Sequence, residues 1–165
     1  MNVDLRGREQ LLKAQAYHDG LTGLANGILL TDRFQSSLER AMRSGKSLAL
    51  LMVYLNGFKS INEHHGHAPG DEVLVVTAQR LLGSVRASDT VARIGDDEFV
   101  LIVESIDDPQ EVLKIGEKLF DRLTDPITLN TGVVEKLGAS IGLAMYPADG
   151  DNLNDLLQVA DQAYV

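Results

Sequence analysis

At 165 residues the chain has the length of one domain, and 44% hydrophobic with 24% charged residues is the composition of a folded soluble protein, which excludes a disordered or collagen-like chain. Fifteen Lys and Arg against 24 Asp and Glu give a formal net charge of −9, which disfavours nucleic-acid binding because such a surface repels phosphate backbones, while a small phosphorylated ligand stays open if a metal ion or local basic cluster reverses the field. There are no cysteines, so disulfides, thiolate zinc sites and cysteine nucleophiles are excluded.

Residues 1–16, rich in Leu, Arg, Lys, Gln and Glu, read as a helix with Leu5, Leu12 and Ala16 on one face. A connecting helix from an upstream module and a helix docked on its own domain fit this pattern equally. The segment lacks the basic-then-apolar order of a signal peptide, so the expected compartment is the cytoplasm. A glycine-rich loop, residues 20–27, follows Tyr17-His18-Asp19. Thr31 or Asp32 can cap a helix running to about Arg43, with Phe34, Leu38, Ala41 and Met42 inward. Residues 48–55 form the longest apolar run, far short of the ~20 residues of a membrane span but of strand length, so no membrane contact is expected and a central strand is.

Asn56-Gly57 breaks that run, and a short helix carries Phe58 and Ile61. After Gly66 and Pro69-Gly70, Asp71-Glu72 places carboxylates at the start of a helix reaching about Val85, where the dipole favours them. Val73, Leu74, Leu81, Leu82 and Val85 are its expected core face. Residues 90–94 and 99–103 are strand-like runs joined by Gly95-Asp96-Asp97-Glu98, a connection short enough to require an antiparallel hairpin. A helix over 109–123, strands near 127–129, 133–135 and 139–145, and a last helix from Leu153 complete the reading. Sequential hairpins mixed with long helices argue for an α+β fold and against a parallel doubly wound sheet.

Three consecutive acids at a hairpin tip repel one another unless a cation offsets them. A solvated acidic turn and a cation site are the two readings, and the polar break after residue 55 favours the second if the sheet brings it alongside. An acidic turn beside a glycine-containing loop has the composition of a Mg²⁺–nucleotide site, since Mg²⁺ takes oxygen ligands and shares them with phosphates. His64, His65 and His67 beside Glu63 do not read as a metal site, because consecutive histidines point different ways. Met42, Met52 and Met145 read as core filler.

The segments His18-Asp19-Gly20-Leu21-Thr22-Gly23-Leu24-Ala25-Asn26, Asn56-Gly57-Phe58-Lys59-Ser60-Ile61-Asn62-Glu63, Gly66-His67-Ala68-Pro69-Gly70-Asp71, Arg86-Ala87-Ser88-Asp89, Ala92-Arg93-Ile94-Gly95-Asp96-Asp97-Glu98-Phe99, Ala139-Ser140-Ile141-Gly142-Leu143 and Ala160-Asp161 stand in one order along the chain. With them the chain resembles the GGDEF domain of bacterial diguanylate cyclases from residue 17 to its end. The resemblance implies a central, mainly antiparallel five-stranded sheet flanked by helices, on the nucleotidyl-cyclase and polymerase-palm plan. It divides the chain into an N-terminal connecting helix, residues 1–16, and a GGDEF domain, residues 17–165, truncated at its C-terminal end. Members condense two GTP into cyclic di-GMP between two facing domains, each holding one GTP and Mg²⁺.

Residue by residue, the resemblance assigns Asn62 and Asp71 to the guanine edge, where Asn both donates and accepts and Asp accepts. Gly57, Phe58 and Lys59 match the phosphate cradle, Asp97 and the Leu55 backbone carbonyl match metal ligands, and Glu98 matches the second signature acid. Arg86 and Asp89 match the inhibitory site for cyclic di-GMP, where an arginine can pair bidentately with phosphate or a guanine edge; a surface ion pair is the plainer reading. The departures are as informative. Where the family keeps a metal-binding Asp, this chain has Tyr54, a phenol that is ordinarily neutral at pH 7. Asp96 replaces the second signature glycine, Gln162 replaces a lysine, and the chain ends at Val165 before the family's Ala-Lys…Gly-Arg stretch.

Losing one electrostatic contributor to the transition state commonly costs ~3–4 kcal/mol, or ~10²–10³ in rate. The favoured expectation is therefore a catalytically impaired, regulatory domain that binds GTP or cyclic di-GMP, with weak or absent Mg²⁺, between an upstream sensor and a downstream phosphodiesterase (EAL) domain. An active diguanylate cyclase with a relocated metal ligand and a purely structural homodimerisation module are the alternatives.

Overall fold

The computed structural model describes residues 16–162. The helix expected over residues 1–16 lies outside the described residues apart from Ala16. The elements are α1 (Gly27–Ser44), β1 (Ser47–Asn56), α2 (Phe58–His65), α3 (His67–Leu82), β2 (Thr90–Arg93), β3 (Glu98–Ile106), α4 (Pro109–Leu123), β4 (Ile127–Thr128), β5 (Val134–Glu135), β6 (Gly138–Tyr146) and α5 (Leu153–Gln162).

The principal sheet has the order β2-β3-β1-β6, antiparallel throughout. β1 is innermost, and alternation sends Ala49, Leu51, Val53 and Leu55 to one core and Leu48, Leu50 and Met52 to another. That two-sided burial explains a continuous apolar run in an antiparallel strand. Leu30, Phe34, Leu38 and Ala41 of α1, with Leu156 and Ala160 of α5, cover one face; Val73, Leu74, Ala78 and Leu81 of α3, with Val112, Leu119 and Leu123 of α4, cover the other. No helix among the described residues is long and apolar enough to cross a membrane.

The α+β class and the helix-flanked antiparallel sheet are as expected, but the sheet counts four strands where five were anticipated. The place beside β2 is held by a single residue, Ala25, which bridges Ala92 in parallel and His18 in antiparallel. Extension stops there because Asn26 caps α1 at once, its side chain accepting from the Leu29 amide at 3.1 Å. The helix thus begins before the expected Thr31 or Asp32 cap, and the Thr31 hydroxyl donates to the Gly27 carbonyl within it instead. Met42, expected inward, is 64% exposed.

The third helix also starts early, at His67 and not at Asp71. Pro69 falls in its first turn, where its missing N–H would have had no partner, so the Pro-Gly pair lies inside the helix. It ends at Leu82, which is 52% exposed and not core. β4 and β5 form a separate two-stranded ribbon.

Candidate functional site

The register of the sheet sets the site. Tyr54 on β1 pairs with Glu98 on β3 and with Ser140 on β6. The Leu55 amide donates to the Asp97 carbonyl at 3.1 Å, so the acidic turn and the polar end of β1 lie side by side, as the sequence suggested. Glu98 folds back over Gly95, where an added Cβ would sit 3.3 Å from the Glu98 carboxyl carbon. Burial, then the neighbouring charges of Asp97 and Asp161, push the Glu98 carboxyl above its ordinary value.

Asp96 is exposed, and among non-glycine described residues only Ser105 has a positive φ, so Asp96 carries no left-handed strain. Its carbonyl and that of Gly95 accept from Arg93, at 2.9 Å from Nη2 and 3.1 Å from Nε respectively. Nη1 of the same guanidinium lies 3.2 Å from both oxygens of Asp19. Asp19 also accepts from the Thr22 amide and hydroxyl at 2.8 and 2.7 Å. Burial pushes the Asp19 carboxyl up, but the hydrogen bonds from Thr22 and Arg93 outweigh it and hold the group below its ordinary value. Sequence reading missed this brace; the pairing of an Asp before a Gly-rich loop with an Arg before the acidic turn was its only trace.

Gly57, with φ of 90°, turns the chain out of β1 into α2, whose start has no side-chain cap. The first-turn amides there, with Lys59 exposed beside them, are suited to an anion. Phe58 is buried and anchors the turn to the core. One turn on, Asn62 presents a buried Oδ1 with no hydrogen-bond partner. It is seated where a Cβ on Gly70 would collide with it, and the next residue, Asp71, is exposed. Gly70 thus makes the room in which the Asn62 side chain stands.

Arg86 and Asp89 are in one turn. The Asp89 carboxylate is 2% exposed and accepts from the Arg86 and Glu104 amides at 2.9 and 3.0 Å. It therefore staples the turn, and Arg86, with a 59% exposed side chain that also donates to the Glu104 carbonyl, is the member open to solvent. His64 Nδ1 lies 2.7 Å from the Ser60 carbonyl and His65 Nε2 is 2.8 Å from Glu135, so the two histidines have separate partners.

At the polar end of β1, the Tyr54 hydroxyl donates to Asp161 of α5 at 2.9 Å. Ala160-Asp161 is one of the segments that carry the family resemblance, but its sequence alone gives Asp161 no role. A Mg²⁺ ion prefers hard, preferably anionic oxygen ligands. Asp97 and the Leu55 carbonyl are of that kind; a phenol that directs its proton at a carboxylate is not. The donor set at the end of β1 thus does not fit an ion held between residue 54 and Asp97.

The family model described as diguanylate cyclase, GGDEF domain, matches residues 16–165. The chain is 40% identical over 158 residues to the bifunctional diguanylate cyclase/cyclic di-GMP phosphodiesterase MucR of Pseudomonas aeruginosa, covering 96% of this chain and 23% of that protein. It is 36% identical over 159 residues to the diguanylate cyclase TpbB of the same species, covering 96% of this chain and 37% of that one. A crystal structure of a sensory box/GGDEF family protein from Caulobacter crescentus superposes with a TM-score of 0.85 at 38% identity, covering 89% of this chain and 94% of that one. The chain spans less than two fifths of the length of these two curated relatives.

Proposed function

The chain belongs to the GGDEF family of diguanylate cyclase domains, and from that premise we propose that it is a cyclic di-GMP signalling domain that recognises guanine nucleotides but is impaired as a cyclase. The observation that carries this reading is the Tyr54 hydroxyl engaged by Asp161 where the family keeps a metal-binding carboxylate. In working members Mg²⁺ offsets charge developing on the attacked α-phosphate. Here the metal ligands reduce to Asp97 and the Leu55 carbonyl, so Mg²⁺ binding is weak or absent and the chemical step is slow by at least the ~10²–10³ that one lost electrostatic contributor costs.

Recognition is the part retained. Asn62 offers an unsatisfied buried acceptor to the N–H groups of a guanine edge, Asp71 stands beside it as a second acceptor, and the amides of residues 57–59 receive a phosphate. Arg86, exposed and held by Asp89 and Glu104, supports a second role in binding cyclic di-GMP through phosphate or base. In the full-length protein the domain sits between an upstream sensor and a downstream EAL domain and pairs with a second copy as facing GGDEF domains do; the name of the 40% identical relative, which joins cyclase and phosphodiesterase activities in one protein, supports the phosphodiesterase part of this reading.

The test is incubation with GTP and Mg²⁺ or Mn²⁺ followed by chromatography for cyclic di-GMP, with GTP binding measured alongside for the protein and for Asn62→Ala. Binding that Asn62→Ala weakens, with product far below that of an intact cyclase, is the expected result. Turnover comparable to an intact cyclase overturns the impairment.

A further inference from the structure

Around Tyr54 the sheet and α5 close on a group of acids. Glu98 flanks Tyr54 on β3, Asp97 precedes it, and Asp161 accepts the Tyr54 hydroxyl proton. The position of α5 has a second, independent anchor one residue earlier. The Ala160 carbonyl is pressed onto Gly142 of β6, where any Cβ would collide with it. Gly142 pairs with Met52 and Ser140 with Tyr54, so both anchors lie on the same ladder, two rungs apart. Asp161 is thus carried to the end of β1 by packing and held there by a proton donor of the chain itself.

This arrangement bears on which ligand the pocket takes. Each phosphate added to a nucleotide brings more negative charge toward Asp97, Glu98 and Asp161 on a chain whose net charge is already −9. A cation would normally cancel that cost, and the donor set at residue 54 does not suit one. The favourable anion contacts are few: the first-turn amides of α2 and the exposed Lys59, enough for about one phosphate group. The base-recognising residues Asn62 and Asp71 are on α2 and α3, whereas Glu98 and Asp161 are on β3 and α5, so base and acid group are held by different elements.

We infer that the pocket binds guanine nucleotides without a divalent cation and does not favour added phosphates, so that guanosine monophosphate binds at least as tightly as GTP. The inference rests on the reading that Asn62 and Asp71 still receive the base. It makes the domain a reader of nucleotides carrying little phosphate charge and not of the Mg²⁺–triphosphate complex.

The experiment is calorimetric titration of the protein with guanosine mono-, di- and triphosphate, each in EDTA and in excess Mg²⁺. The expected result is a monophosphate Kd that Mg²⁺ changes by less than threefold, and a triphosphate that is no tighter than the monophosphate in either buffer. A triphosphate tightened more than threefold by Mg²⁺, or bound more tightly than the monophosphate, overturns this inference and leaves guanine recognition standing. Binding of none of the three overturns guanine recognition and the inference with it. Tyr54→Asp is a second arm: it should confer a Mg²⁺-dependent gain in GTP affinity of more than threefold, and a folded variant without that gain also overturns the inference. The unmodified protein decides the matter if the variant does not fold.

Discussion

Arg93 and Asp19 hold each other across 74 residues of sequence, with Arg93 Nη1 lying 3.2 Å from both carboxylate oxygens while Nε and Nη2 engage the carbonyls of Gly95 and Asp96. One guanidinium therefore fixes both the loop before α1 and the acidic turn. The Arg93 side chain is only 13% exposed, so its removal takes the donor from two carbonyls and leaves the Asp19 carboxylate with its Thr22 hydrogen bonds alone. Arg93→Ala should cost about 2–4 kcal/mol, read from the urea midpoint at constant m. Arg93→Lys should recover less than half, because an ammonium has no planar fork to serve three acceptors.

Asp19 and Glu98 give opposite pH signatures. Burial raises the Asp19 carboxyl, but hydrogen bonds from Thr22 and Arg93 leave it below its ordinary value, so its contribution is fully present above the unfolded value of about 3.9 and is lost as pH falls through the folded one. Glu98 is raised by burial and by Asp97 and Asp161, so its ionised form opposes folding above its folded pKa, and the penalty fades below the unfolded value of about 4.3. Glu98→Gln should thus raise the urea midpoint at pH 7, and the gain should vanish near pH 4. Asp19→Asn should lower the midpoint at pH 7, with the difference shrinking as pH falls below about 3.9.

A methyl group on Gly70 would occupy the place of the Asn62 side chain. Gly70→Ala should cost about 1–3 kcal/mol in thermal or urea unfolding, and should weaken guanine nucleotide binding more than Asp71→Ala does, since it displaces Asn62 outright.

At Gly142 the obstacle is backbone, the Ala160 carbonyl, which cannot swing aside as a side chain can. Gly142→Ala should cost about 3 kcal/mol or more and lift the end of α5. Loss of the Tyr54 to Asp161 hydrogen bond should accompany it, visible as a change in tyrosine fluorescence relative to Tyr54→Phe.

Glu104 is 7% exposed and its carboxylate accepts from Arg40 Nε at 2.7 Å. Arg40→Ala leaves that buried acid unpaired and should lower stability by about 1–3 kcal/mol, the half-exposed arginine keeping the figure below that of a fully buried pair. Arg40→Ala with Glu104→Gln should regain part of the loss, a comparison completed by a double-mutant cycle.

What the sequence disclosed and what it hid divide along physical lines. The central strand was legible because residues 48–55 are apolar without interruption, and the hairpin because four residues cannot join two strands any other way. The helix starts after Asn26 and at His67 are hidden because glycine and proline read as breaks in sequence, although both are cheap in a first turn that has no hydrogen bonds to lose. The side-by-side placement of residues 54–57 and 95–98 could be anticipated from the motifs. The brace from Arg93 to Asp19 and the contact of Tyr54 with Asp161 could not, since pairs 74 and 107 residues apart leave no local periodicity to read.

Burial of β1 on both faces and pairing on both edges has a bearing on motion. Amide protons of Leu50, Leu51, Met52 and Val53 can meet solvent only when the whole domain opens, so they belong among the slowest in hydrogen exchange. The proposed nucleotide pocket begins two residues beyond them, at Leu55, which sets its floor on the least yielding part of the molecule.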